Sequence, residues 1–396
     1  MTFRVPSSAF RVGAGGVPPS DVAPLILEDA ERGTRNAELF VVHVASGREW
    51  RGGQRQVCYL ARALDRAGGI RQLVVTGGGT RLAAELAREG VPVATVRWGP
   101  ALDLRAVWGL GREVSARRAD RPLLHAHDAH ALSIAAIVAT WFHLPLVVTR
   151  RVDFPLRRPF LWRRADRVIA ISEAVGRVAG ASGLDPRRVV VVPSGIPLDN
   201  PRDAAALDLR RVLGLAHDTT VAVTVGALVA HKDHRTLVAA AAVLRESHPA
   251  LHWVIAGEGA LRPELERRIA EQALGDRVHL IGEVPDGRAA IAAGDLFVAS
   301  SREEGLNTSV LDAMALGVPV VSTDAGGLPE ALAGGAGLLC PREDPVALAT
   351  AVAQVVGDSS VRERLVSVAS KAVRRFGSDR MAAGIRSVYH SVARST

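Results

Sequence analysis

The sequence predicts an α/β protein built from two Rossmann-like, doubly wound parallel-sheet units. Three observations carry this. A chain of 396 residues is too long for one ordinary core and suits two α/β domains. Short Val-rich runs alternate with helical patterns through most of its length, the βαβ rhythm of a parallel sheet. A turn-rich stretch, PSGIPLDNP at 193–201, divides that rhythm into two series.

Residues 1–37 mix Gly, Pro, Ser and charges without periodicity and read as a flexible arm. Leu39–Ala45 opens the first series as a buried strand. Gly52-Gly53 follows, leading a helix whose Val57, Leu60, Ala61 and Leu64 hold the i, i+3, i+4, i+7 spacing. Next come a strand at Gln72–Val75, a helix at Arg81–Arg88, a strand at Pro92–Val96 and a helix within Leu102–Arg118. The series closes with strands at Leu123–His125, Leu146–Thr149, Arg167–Ile171 and Val189–Val192, and a helix at Ser133–Trp141. In the second series, strands are expected at Val221–Val225, Leu251–Ala256, Val278–Ile281, Leu296–Ala299 and Val318–Ser322. Helices near Pro345–Val356, Ser360–Val373 and Asp379–Val392 end the chain.

Composition narrows the class. The content of 48% hydrophobic and 23% charged residues is that of a soluble globular protein. Two cysteines, Cys58 and Cys340, argue against a disulfide framework and fit a reducing cytosol. The N-terminus lacks a signal-peptide pattern. The most apolar stretch, Ala131–Thr149, holds His143 and Pro145 and reads as a buried helix and strand, not a membrane span. A net charge of +8 favours an anionic partner: a nucleotide, a phosphorylated acceptor or a membrane surface.

Ligands of such sheets bind at the carboxyl ends of the strands. The run SREEGLNTSVLDAMALGVPVVSTDAGGLPE at 301–330 places Glu303 and Glu304 in a loop before a helix that starts around Asn307 to Ser309. Those three residue types favour N-caps, and the helix amides make an anion site. Asp312 lies one turn after Thr308, on the same face. An acid, an anion hole and a second acid in line suit a sugar, a pyrophosphate and a ribose.

The spacing Glu304-x7-Asp312 in EGLNTSVLDAMALGVPVV resembles the Glu-x7-Glu motif of glycosyltransferase family 4, the retaining group 1 glycosyltransferases with the GT-B fold. The resemblance covers roughly residues 38 to 394. It implies an N-terminal acceptor domain at 38–200, a C-terminal nucleotide-sugar donor domain at 201–377, and a helix at 378–396 that crosses back. It also assigns roles. Arg51-Gly52-Gly53-Gln54 looks like the family's Gly-Gly loop, where glycines let the backbone approach a diphosphate or acceptor. His125-Ala126-His127 looks like its His-x-His segment, whose second histidine, here His127, faces the donor sugar. A metal site using these histidines with Asp128 or His130 is the rival reading.

The stretch VGALVAHKDHRTLV resembles the family's Gly-Arg-Leu-x-x-x-Lys segment, with Gly226 and Lys232 in place and Ala227 where the arginine stands. Lys232 then acts alone or with help from His231. Glu258 and Gly282 end strands where family members hold ribose and base. Gly305, Leu306, Asn307 and Thr308 complete the donor set, and Asn307 stands where a glycine is common. Asp312 has about 1.5 Å less reach than glutamate. Arg150, Arg151 and Asp153 are assigned to the acceptor.

The expected activity is transfer of a sugar from a nucleotide-sugar donor to an acceptor hydroxyl, in cell-envelope or lipid-linked glycan synthesis. Glu304, His127 and Lys232 are its catalytic candidates. Asp-x-Asp occurs nowhere in the chain, so no metal and no cofactor are expected. Lys232 and the amides near Thr308 would stabilise the leaving diphosphate. Retention is what the resemblance implies. A sugar-nucleotide epimerase or phosphorylase of the same architecture is the alternative, although a pyridoxal enzyme would need a Schiff-base lysine in a chain with very few. A nucleic-acid binder is more remote, for lack of stacking aromatics or a motif. The segment Arg150–Arg167 carries seven arginines interleaved with Phe154, Leu156, Phe160, Leu161 and Trp162. It suggests a cytoplasmic protein touching the inner face of an anionic membrane, and a glycan or lipid-linked acceptor. Donor sugar, base and acceptor stay open.

Overall fold

The structure, a computed structural model, describes residues 39–99, 103–198 and 207–394. The arm at 1–37, the residues at 199–206 between the two series, and the start of the helix expected from Leu102 lie outside the described residues. From residue 38 onward the chain forms one compact unit containing two sheets.

The first series runs β1 (Leu39–Val44), α1 (Gly52–Ala67), β2 (Ile70–Gly77), α2 (Arg81–Arg88), β3 (Val93–Val96) and α3 (Leu104–Ser115). It continues with β4 (Leu123–Ala126), α4 (Ala129–Phe142), β5 (Leu146–Arg150), α5 (Pro159–Trp162), β6 (Arg167–Ala170), α6 (Glu173–Ala181) and β7 (Val189–Val191). These strands form a seven-stranded parallel sheet in the order β3-β2-β1-β4-β5-β6-β7.

The second series runs α7 (Leu209–Leu213), β8 (Thr220–Val225), α8 (His234–Leu244), β9 (Leu251–Ala256), α9 (Arg262–Glu271), β10 (Val278–Gly282) and α10 (Gly287–Ala292). Then come β11 (Leu296–Ala299), α11 (Thr308–Leu316), β12 (Val320–Thr323), α12 (Leu328–Ala331) and β13 (Leu338–Cys340). Its six strands are also parallel, in the order β10-β9-β8-β11-β12-β13. The chain ends in α13 (Pro345–Gly357), α14 (Ser359–Ala372) and α15 (Ser378–Ala393).

In each sheet the strand order reverses between two parallel neighbours, β1 and β4 in one and β8 and β11 in the other. Such switch points open a crevice at the carboxyl ends of the strands, which fixes where ligands sit. α15 returns to the first sheet. Its Met381, Ile385, Val388 and Tyr389 pack in one core with Val41 of β1, Leu60 and Leu64 of α1, Val147 of β5 and Ile169 of β6. A parallel bridge between Ile196 and Gly377 runs beside its start.

Two boundaries differ from the sequence reading for local reasons. α4 begins four residues before Ser133 because Asp128 caps it, accepting a hydrogen bond from Ala131 N at 2.8 Å. Val318 belongs to a helix end instead of a strand: Gly317 takes φ 72, and Val318 N donates to Ala313 O at 2.9 Å. β13 was not anticipated from the sequence, and three residues are too few to show a period.

Candidate functional site

A cavity of about 1130 Å³ lies between the two sheets, lined from one side by residues 49–62, 81–85 and 151–152, and from the other by 225–232, 256–259, 283–288 and 304–309. Gly52, Gly53, Gly226, Lys232, Glu258, Glu304, Leu306, Asn307 and Thr308 all line it, as do Arg151, His231 and Ala227.

Its centre is the ion pair between Lys232 Nζ and Glu304 Oε2. Both side chains are largely enclosed, at 20% and 12% exposure, so solvent screens the pair little. Ser301 Oγ donates to the same carboxylate oxygen at 3.2 Å. The loop is held from the facing unit: Glu304 N donates to Asp153 Oδ2 at 3.0 Å, and Ser172 Oγ donates to Gly305 O at 2.7 Å. Backbone crowding there explains two glycines. A Cβ on Gly305 would lie 2.2 Å from Arg151 O, and Gly326, at φ 50, would place one 1.7 Å from Glu304 O.

Asn307 caps α11 at φ 56, and its side chain accepts from Ser309 N at 3.2 Å. Asparagine tolerates the left-handed region, which accounts for its presence where glycine is common. The start of α1 faces the same space. At its start Gln54 Oε1 accepts from Arg51 N at 3.3 Å, and a methyl on Gly52 would sit 3.6 Å from Thr308 Oγ1. Two helix N-termini and Lys232 therefore converge on one region of the cleft, an arrangement suited to a diphosphate.

Arg151 lies against this region. Its Cδ is 3.8 Å from where a Cβ on Gly53 would be, and its Nε is buried without a partner. Burial pulls its guanidinium down to about 10, with Asp128 opposing. A guanidinium enclosed without a carboxylate contact is costly unless an anion meets it. Glu258, on the opposite wall, is tied to Arg262 at 2.6 Å and sits beside Gly282, which takes φ 77.

Gly282, Gly305 and Asp153 are not on the cavity lining but behind it, and three more expected site residues stand elsewhere. Asp312 does not reach the cavity: it is fully buried, with Arg55 Nη2 on one oxygen and Arg288 Nη1 on the other, each at 3.0 Å. His127 does not face it either. Alternation along β4 directs His125 and His127 to the face covered by α15, with ring centroids 4.0 Å apart, and Arg151 stands beside His127 at the cavity wall. Arg150 is buried, donating to Phe154 O and lying 5.2 Å over the Trp162 ring, so only Arg151 of that arginine pair faces the cleft.

The histidines form a network that includes His43 of β1. His43 Nδ1 and His127 Nε2 are 3.0 Å apart, and Arg151 Nη2 is 3.3 Å from His127 Nδ1. His125 meets the Tyr389 hydroxyl at 2.6 Å and Thr149 Oγ1 at 2.7 Å. Arginine only donates, so His127 Nδ1 accepts, its Nε2 carries the proton, and His43 Nδ1 accepts in turn. Burial holds His43 at about 4 and His125 and His127 well below the ordinary histidine value. The ligand atoms of His43, His125 and His127 lie within 4.8 Å of one another, but only His43 Nε2 is without a hydrogen-bond partner. The cluster pictured from the sequence is not assembled: His130 packs against Trp98 at 5.7 Å, and Asp128 caps α4 and accepts from Ser46.

Arg55, Arg288, His43 and Tyr389 were not found by sequence reading. Arg55, His43 and Tyr389 lie in elements read only for their apolar pattern, and the partners of the four are 257, 24, 84 and 264 residues away. The one legible sign was Arg55 on the polar face of α1, just after the Gly-Gly turn.

Residues 219–358 match the family model of glycosyl transferases group 1, and residues 50–200 match that of glycosyltransferase family 4. A lipopolysaccharide core biosynthesis mannosyltransferase of Rhizobium meliloti is 32% identical over 253 residues, 59% of this chain and 68% of that protein. A D-inositol 3-phosphate glycosyltransferase of Thermomonospora curvata is 32% identical over 57% of this chain, which spans 57% of that protein. Among solved structures, Anabaena HepE in complex with UDP and glucose superposes with a TM-score of 0.78 at 23% identity, covering 89% of this chain and all of that one. Sucrose-phosphate synthase from Thermosynechococcus elongatus gives 0.71 at 21% identity, over 90% of this chain and all of that one.

Proposed function

We propose, from the premise that this chain belongs to the group 1 glycosyltransferases of family 4 and has their GT-B fold, that it moves a sugar from a nucleotide-sugar to an acceptor hydroxyl with retention and without a metal ion. The observation that carries this is the Lys232–Glu304 pair beside the start of α11, facing the start of α1 across the cleft. A pyrophosphate bridging the two helix starts would meet Lys232, the Thr308 and Gly53 amides and Arg151, all positive or donating. Those groups supply the charge stabilisation that a departing nucleoside diphosphate needs. Glu304 would then leave Lys232 to bind the donor sugar and support positive charge developing at its anomeric carbon.

Ala227 leaves the cleft without the arginine common at that position, and Arg151 supports the role from the facing unit. His127 acts here as a positioning residue: its acceptor nitrogen fixes Arg151 against the Gly-Gly loop. Arg51 and Arg81, beside Glu49 and Glu85, and Arg151, without a carboxylate contact, line the α1 side and favour an anionic acceptor. The relatives named for lipopolysaccharide core synthesis and inositol 3-phosphate point the same way, toward an envelope glycan or a phosphorylated acceptor. Structures of HepE holding UDP and UDP-glucose make a uridine donor the first to test.

The test is a thermal-shift screen of the full chain with UDP-, GDP- and ADP-sugars, since a ligand at a hundred times its Kd stabilises by about 2.7 kcal/mol. The donor that raises the melting temperature is then supplied with acceptor extracts. Nucleoside diphosphate release and the anomeric configuration of the product are followed by NMR. Retention of configuration supports the reading. Inversion, or no shift with any nucleotide-sugar, overturns it.

A further inference from the structure

Surface helices ordinarily turn polar side chains outward. On one face of the seven-stranded sheet this chain does otherwise. α3 and α4 cover that face through Val107, Leu110, Leu132 and Ile134, while α1 and α15 cover the other. Leu104 and Trp108 of α3 are 75% and 68% exposed, Trp141 at the end of α4 is 73%, and Phe160 of α5 is 63%. The three helices pack side by side, α3 on α4 and α4 on α5. The seam is close: Phe142, next to Trp141, turns inward to within 3.8 Å of where a methyl on Gly111 would lie, and Trp108 stands one turn before Gly111.

The exposed charges around these side chains that lack a carboxylate or cationic partner are of one sign. Arg105, Arg157, Arg158, Arg163 and Arg164 are exposed, and among the described residues none pairs with a carboxylate. Arg112 lies 5.6 Å over the Trp108 ring. The acids of the face are engaged. Asp103 caps α3, Glu113 bridges Arg112 at 3.2 Å and Arg117 at 2.8 Å, and Asp166 accepts from Leu146 N at 2.8 Å. The aromatics expected from the 150–167 segment behave differently: Leu156 and Trp162 belong to the core, and Phe154 packs on His231 at 5.6 Å. The exposed apolar surface thus comes from three helices, and the segment contributes one aromatic and the arginines.

Protruding aromatics within a rim of unpaired arginines match an interface between hydrocarbon and anionic headgroups, where rings sit at headgroup level and guanidinium groups reach phosphates. We propose that the α3–α4–α5 face docks on an anionic lipid bilayer, with Leu104, Trp108, Trp141 and Phe160 inserted and Arg105, Arg157, Arg158, Arg163 and Arg164 on the phosphates. The binding uses none of the donor-site residues and stands apart from the transfer reading. Among the described residues no helix is long and apolar enough to cross a membrane.

The experiment is co-sedimentation of the full chain with phosphatidylcholine vesicles, with and without phosphatidylglycerol, across a salt series. Binding is expected only with phosphatidylglycerol, weakening as salt rises, with a blue shift of tryptophan emission. The double variants Trp108→Ser/Trp141→Ser and Arg157→Glu/Arg158→Glu should each weaken it by about tenfold or more. Both should keep the wild-type melting temperature and the wild-type nucleotide-sugar shift. Failure of the wild type to bind anionic vesicles at low salt overturns the proposal, and so do two variants that bind as it does. A dimer in solution that Trp108→Ser/Trp141→Ser converts to monomer would assign the face to a second copy, and the proposal would fall.

Discussion

Arg55 on α1 and Asp312 on α11 form a 3.0 Å ion pair that ties the seven-stranded half of the molecule to the six-stranded half. Asp312 is fully buried, and Arg288 of α10 holds its second oxygen, so one carboxylate fastens three helices. An aspartate is about 1.5 Å shorter than the glutamate of the resembled motif, which keeps its carboxylate back among the helices. Burial lowers the affinity of Arg55 for its proton, but Asp312 and Tyr59 more than reverse this, and its pKa is raised.

Replacing that carboxylate tests the clasp. Asp312→Ala leaves two enclosed guanidinium groups unpaired, a loss of about 3–5 kcal/mol for a buried pair. Thermal denaturation should show a drop of several degrees, and Arg55→Lys/Asp312→Glu should restore part of it. An unchanged melting temperature would show that the clasp does not hold the halves together.

Glu304→Gln should lower transfer by about a hundredfold or more while leaving the melting temperature near wild type. Lys232→Ala should weaken nucleotide-sugar binding. The two residues pair directly, so the double variant should lose less than the sum of the single losses. Near-normal turnover in both single variants, across all donors, would remove them from the site.

The histidine network sets a pH dependence. In a base whose folded pKa is depressed, the unfolded chain takes up protons first as pH falls. Stability from His43 is therefore complete above about 6.5 and is lost as pH falls toward about 4. His125 and His127 act in the same direction, as does His234, which burial also holds at about 4. Urea titrations across that window should show wild-type stability falling with acid, and His43→Asn should fall less steeply. Parallel slopes would show that His43 does not carry the effect.

Chelation separates the network from a metal site. Excess EDTA should leave transfer unchanged, because in the proposed reading Lys232, Arg151 and helix amides would hold the diphosphate. Activity that disappears with EDTA and returns with Zn²⁺ or Mn²⁺ would instead make His43, His125 and His127 ligands.

The sequence alone determined the two strand-and-helix series, their division near Pro193, and the loop-helix unit around Glu304. These are local patterns, and local periodicity, glycine and capping residues dictate them. The facing of Gly52, Lys232, Glu304 and Thr308 was reachable too, because ligands of parallel sheets gather at the strand ends. Only the tertiary structure decided that Asp312 fastens helices instead of lining the cleft, that His127 lies behind Arg151, and that Trp108 and Trp141 stand in solvent. The first two depend on partners 24 to 257 residues away, and no spacing along the chain encodes which of two faces a distant helix such as α15 will cover.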